Sequence, residues 1–173
     1  MRVELRWPRP LAVAEEVPPE EAGGTPLFFF GTLMDREILA HLLGRPVRPE
    51  ELRPAVLAGF RRVTARNASY PVLLPDPGGR VEGVLFRAGP RDLRRINHYE
   101  CDEYRAERHE IRTADGERSA AWIFLGREAV MEAGEEPWDP GTWAARHKPG
   151  FFARIDEWME DLPPDEPHSG GED

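Results

Sequence analysis

From Ala55 to Leu125 the chain is a succession of strand-like segments, and most of the gaps between them are too short for a parallel crossover. Residues 55–64 read as a strand, with Gly59 marking a bulge or a close approach. Residues 70–74 form a short strand, PDPGG a turn, and residues 81–86 alternate like another strand. Residues 104–113 and 119–125 flank the turn signal ADGE and predict a hairpin. Segments so closely spaced must pair mainly with antiparallel neighbours. With helices at three separated places, the class is α+β: a small, mainly antiparallel barrel or curled sheet with flanking helices.

The flanking elements follow from local signals. Leu27 to Phe30 is a continuous apolar run bounded by Pro26 and Gly31, which suits a buried strand. Asp35 caps a helix whose apolar positions Ile38, Leu39, Leu42 and Leu43 recur at helical spacing, and Gly44 then Pro46 end it. A short amphipathic helix over 92–100 carries Leu93, Ile96 and Tyr99 on one face. Residues 142–147 predict a short helix broken at Pro149-Gly150, and residues 151–162 a longer one. Residues 1–24 form an extension, with a short strand over 3–7 followed by the linker-like EEVPPEEAGG. The tail 163–173 has the composition of a disordered segment. One domain over 25–162 remains.

Composition removes several classes of function. The 173 residues carry a formal charge of −9 and no basic patch or tail, which argues against nucleic acid and anionic membrane as partners. No run of about 18 apolar residues is present to span a bilayer. The N-terminal stretch has acids and prolines where a signal peptide needs an apolar core, so the cytosol is the expected compartment. The single cysteine, Cys101, cannot form an internal disulfide or a multi-cysteine zinc site. Lys148 is the only lysine. Oligomeric state has no readable signal.

Two features carry chemistry. The apolar run PLFFF stops at Gly31-Thr32-Leu33, and a glycine turn at a strand-to-helix junction exposes N–H groups that can hold an anion. Some 70 residues on, Glu100 ends the amphipathic helix just before a tyrosine-bearing strand. A carboxylate facing such a turn would be a proton shuttle beside a carboxylate-binding cradle.

In order along the chain stand FFFGTLMDREILAHLLG, then AGFRRVTARNASYPVLLPDPGGRVEGVLFRA, DLRRINHYECDEYRAERHEI and SAAWIFL. This ordered set resembles the gamma-glutamylcyclotransferase-like superfamily, and most closely its compact gamma-glutamylamine cyclotransferase (avirulence-induced-gene-like) branch. The resemblance covers about residues 27–125. It implies a small mixed β-barrel and release of 5-oxoproline from a small γ-glutamyl amine or amide, without metal or cofactor. Glu100 would be the acid/base; Phe30, Gly31, Thr32 and Leu33, with Tyr70 and Tyr104, would contact the substrate. Three positions depart from the family pattern: Phe30 and Phe124 replace tyrosines, and Asn97 replaces an aspartate.

Other readings of the same residues are weaker. His98-Tyr99-Glu100 mimics the H-x-E of zinc deaminases, but no P-C-x-x-C follows. His98, Cys101 and His109 are metal-binding residue types at a spacing that matches no standard site. Cys101 with His98 could form a thiol nucleophile pair. Trp138, Trp143, Phe151, Phe152 and Trp158 suit core packing better than a ligand platform. The leaving-amine wall is expected from loops around 66–70 and 127–138. The main alternative function is a non-catalytic small-molecule binder or interaction module on the same barrel.

Overall fold

The computed structural model describes residues 7–19, 23–66, 68–100, 104–126, 133–160 and 162. Its strands are β1 (Ala12–Ala14), β2 (Thr25–Phe29), β3 (Arg53–Ala65), β4 (Pro71–Ala88), β5 (Tyr104–Thr113), β6 (Arg118–Gly126) and β7 (Ala133–Pro137). Its helices are α1 (Arg36–Leu43), α2 (Pro90–Glu100) and α3 (Pro140–Met159). The sheet runs β1-β5-β6-β2-β4-β3-β7, and β5 pairs again with β3. That extra pairing closes a five-stranded barrel, β5-β6-β2-β4-β3. The barrel is mixed: β2 and β6 run parallel and the other barrel pairs antiparallel.

Strand alternation sorts side chains between two cores. Phe28, Leu57, Phe60, Leu85, Ile123 and Leu125 fill the barrel. Leu27, Phe29, Phe86 and Trp122 point the other way, onto α1, α2 and α3. Helix α1 starts where expected: the Asp35 carboxylate accepts from the N–H groups of Glu37 and Ile38. It stops at Gly44, whose left-handed φ of 68° suits a glycine. From α2, Arg91 and Arg95 donate to the carbonyls of Leu43 and Leu42, satisfying the end of α1. Among the described residues no helix is long and apolar enough to cross a membrane.

Four expectations change. The short strand 70–74, the PDPGG turn and the strand 81–86 are one strand, β4. Between the pairs Ala58↔Arg80 and Phe60↔Pro75, Asp76 to Gly79 oppose Gly59 alone, so the turn signal makes a large bulge inside a continuous ladder. Gly59 sits there at φ 90°. Likewise, α3 runs through Pro149 without breaking. A proline inside a helix costs about 3 kcal/mol, and burial of Trp143, Phe151 and Ile155 offsets it. Strand β7, on the outer end of β3, falls where a loop is expected, because AGEEP lacks the alternation of a buried strand.

The fourth change concerns the N-terminal extension, whose expected linker is partly packed. Beyond the point where β3 leaves β5, β1 takes its place along residues 106–108. The Trp7 indole donates to the buried Glu107, which also meets Arg105 and His109. Burial pushes the Glu107 carboxyl up, but these partners outweigh it and its pKa is lowered. Val17, 1% exposed, joins the helical core. Most of the strand expected over 3–7, the tail 163–173 and Cys101 lie outside the described residues.

Asn97 holds Val17 in place at both backbone groups. Its Oδ1 accepts from the Val17 N–H and its Nδ2 donates to the Val17 carbonyl, each at 3.1 Å. The contact spans 80 residues and ties α2 to the N-terminal extension. A carboxylate could accept but not donate. Asn97→Asp is therefore expected to lose one bond, set two oxygens against each other and cost about 1–3 kcal/mol. Urea denaturation checks this; an unchanged midpoint would remove Asn97 as the anchor.

Candidate active site

The end of β2, the turn after it and the end of α2 converge on one cavity of about 670 Å³. Phe30, Gly31, Thr32, Leu33, Tyr70, Glu100 and Tyr104 all line it. The apolar β2 run ends at Phe29 because the chain turns there into a single 3-10 turn, Thr32–Met34. The N–H groups that open such a turn have no partner within it. Met34 and Asp35, by contrast, donate back to the carbonyls of Gly31 and Thr32. Gly31 is needed for space rather than for its φ of −125°: a Cβ there would lie 3.0 Å from the Pro71 ring. The turn is thus pressed against the segment that carries Tyr70.

Glu100 enters from the last turn of α2, whose Leu93 and Ile96 are buried in the helical core. It keeps partial solvent access, yet desolvation pushes its carboxyl up to about 8. Around it, the Tyr99 hydroxyl lies 3.3 Å from Thr32 Oγ1, linking α2 directly to the glycine turn. Burial, then the neighbouring Glu100 charge, raises the Tyr99 pKa as well. A carboxyl that titrates near 8 is mostly protonated at neutral pH and populates both forms near pH 8, so in this cavity it can both give and take a proton. Among the described residues no group of three His, Asp or Glu side chains is placed to hold a metal. His98 also lines the cavity, with its ring meeting the Trp158 carbonyl, whereas His109 belongs to the Glu107 cluster.

Residues 27–145 match the family described as "Gamma-glutamyl cyclotransferase, AIG2-like". The chain belongs to that family. It is 28% identical to "AIG2-like protein C" of Arabidopsis thaliana over 138 residues, covering 78% of this chain and 77% of the relative. The solution structure of an Arabidopsis thaliana protein has the same fold, with a TM-score of 0.56 and 24% identity over 79% of this chain and 91% of that one. A structure titled "Gamma-glutamyl cyclotransferase" overlays at a TM-score of 0.50 with 13% identity, covering 82% and 90%. The function of this AIG2-like chain is accordingly of the gamma-glutamylcyclotransferase-like type.

Two of this member's departures, Phe30 and Phe124, line the cavity itself. Among the loops expected to wall the leaving amine, only Ser69 and Tyr70 contribute among the described residues; none of residues 133–138 does. Residues 127–132 lie outside the described set. The outer wall comes instead from α3, through Trp143, Phe151, Arg154, Glu157 and Trp158.

Sequence reasoning also missed the support behind the turn. Arg62, on β3, donates through Nη1 to the Phe30 carbonyl at 2.8 Å and to the Glu82 carbonyl at 3.0 Å. Its guanidinium stacks 5.2 Å from the Trp138 ring, and the Trp138 indole donates to the Ser69 carbonyl at 2.8 Å. One stacked pair thus braces both the residue before Gly31 and the residue before Tyr70. Only the long-range pairing of β3 brings Arg62 there, and no local motif signals it. Arg62→Lys keeps the charge but not the planar stack. It is expected to raise KM for a γ-glutamyl substrate about tenfold with a smaller change in kcat, because it loosens both walls without touching Glu100. Steady-state kinetics decide; unaltered KM would remove the brace.

Proposed function

We propose that this chain releases 5-oxoproline from a small γ-glutamyl amine or amide, with Glu100 as the single acid/base. The observation carrying the proposal is that Glu100 and the Gly31-Thr32-Leu33 turn line the same cavity. The substrate's α-amine attacks its own γ-carbonyl carbon, forming the ring C–N bond as the bond to the leaving amine breaks. The nucleophile is tethered, so the enzyme's task is to fold the glutamyl chain into ring-closing shape. N–H groups of the turn would hold the α-carboxylate or the developing oxyanion. Glu100 would take the proton that the α-nitrogen loses and pass it to the departing amine.

The raised pKa fits that double duty. An ordinary Glu titrates near 4.5 and is a poor acid at neutral pH. At about 8, Glu100 can serve in both forms. The step begins with the ionised form, so kcat/KM is expected to rise as pH approaches 8 from below and then to level off. Purified protein incubated with γ-glutamyl amines, γ-glutamyl amino acids and γ-glutamyl-ε-lysine, with 5-oxoproline measured between about pH 6 and 9, tests this. Tight binding of one compound with no 5-oxoproline from any would favour the non-catalytic binder instead.

A further inference from the structure

Four large apolar side chains are exposed among the described residues. Leu11 and Val13 belong to the small β1 region, whereas Tyr70 (38%) and Trp158 (40%) both line the cavity. The Trp158 ring is held in place: the Arg154 guanidinium lies 4.9 Å from its centroid, and Tyr99 and Phe151 meet it at 5.6 and 5.9 Å. A fixed, partly uncovered indole at a cavity wall is a stacking surface. Arg154 and Glu157, one turn apart on α3, both line the cavity with opposite charges. Between them these two side chains add no net formal charge to that wall. The cavity volume of about 670 Å³ is that of a site for a drug-sized ligand, so a glutamyl group alone would leave much of it unfilled.

We propose that the α3 side of this cavity is a leaving-group subsite for an amine that bears an uncharged aromatic ring, which stacks against Trp158. The assignment of that side to the leaving group rests on the cyclisation reading. Glu100 and the glycine turn then engage the glutamyl half, and the departing amine extends toward α3. The net negative charge of the protein does not select a cationic diamine, because it is spread over the chain, whereas the local wall is aromatic and balanced.

The test compares γ-glutamyl-benzylamide with γ-glutamyl-methylamide. Stacking on the indole together with burial of the ring predicts about a tenfold advantage in kcat/KM for the benzylamide. Trp158→Leu, which keeps apolar bulk, is expected to cut that ratio to about threefold or less, and Trp158→Phe to retain most of it. Thermal melts of both variants confirm that they fold. Equal kcat/KM for the two amides in wild-type protein, or a ratio unmoved by Trp158→Leu, overturns the subsite. Calorimetric binding of the same amides to Glu100→Gln separates the two readings. A roughly tenfold binding preference for the benzylamide without turnover by wild-type protein keeps the aromatic-binding surface and removes cyclisation, and with it the leaving-group assignment. Turnover with no such preference does the reverse.

Discussion

Replacing Glu100 by Gln is expected to reduce 5-oxoproline release by about 10²- to 10⁴-fold, the usual contribution of a positioned general acid/base, while making the protein more stable above neutral pH. The two effects share one cause. Desolvation holds the folded Glu100 pKa near 8, whereas the unfolded chain has its ordinary value near 4.5. Below about pH 4.5 both states carry the proton and Glu100 imposes no ionisation cost. Between 4.5 and 8 the folded state holds a proton that the unfolded state has lost, so stability falls as pH rises through that window. Above 8 the loss is complete. Allowing for the partial solvent access of Glu100, the cost at pH 8 is roughly 2–4 kcal/mol. Gln removes it, so Glu100→Gln is expected to melt several degrees higher than wild type at about pH 8 and close to wild type at about pH 5. Unchanged activity would end the acid/base role; an unchanged Tm difference between those two pH values would mean that burial does not shift this carboxyl.

The second large effect belongs to Gly83. A Cβ there would fall on the Phe29 carbonyl oxygen and within 2.6 Å of Phe28 Cζ. Neither neighbour can yield cheaply. Phe29 is paired with Val84 in the β2–β4 ladder, and the Phe28 ring is 1% exposed inside the barrel. Gly83→Ala is therefore expected to destabilise by about 3 kcal/mol or more, at the upper end for overpacking. Displacement of Phe29 would also shift Phe30 and the turn at Gly31, so activity should fall with stability. Gly78→Ala is the control: nothing lies within 4 Å of its added Cβ, and its effect should stay within about 0.5 kcal/mol. Chemical denaturation of the pair gives the comparison, and equal midpoints would refute the steric role of Gly83.

Much of this was legible in the sequence where a local rule governs. The Asp35 cap, the Gly44 stop, the Gly59 bulge and the β5–β6 hairpin each depend on a few adjacent residues, and each stands at its expected place. The features that differ depend on partners far away in sequence. Pro149 carries the same local signal whether or not Trp143 and Phe151 find a core to hold the helix through it. Asn97 gives no hint of Val17, nor Arg62 of the Phe30 carbonyl. The aromatic period of α3 predicts a buried face. It does not reveal that Trp143, Phe151 and Trp158 pack together edge to face and also form a wall of the cavity. Glu100 and the glycine turn stand out only through an ordered set of motifs, since nothing local tells a helix-end glutamate in a cavity from one in solvent.

Convergence of Glu100 and the glycine turn on one substrate is decided by a crystal structure of Glu100→Gln with a γ-glutamyl amide. The expected complex has the α-carboxylate or the γ-carbonyl oxygen of the ligand on the main-chain N–H groups of residues 31–33, with the α-nitrogen within hydrogen-bond reach of the substituted side chain at position 100. A ligand whose glutamyl half lies against α3 instead, away from both the turn and that side chain, would rule that convergence out.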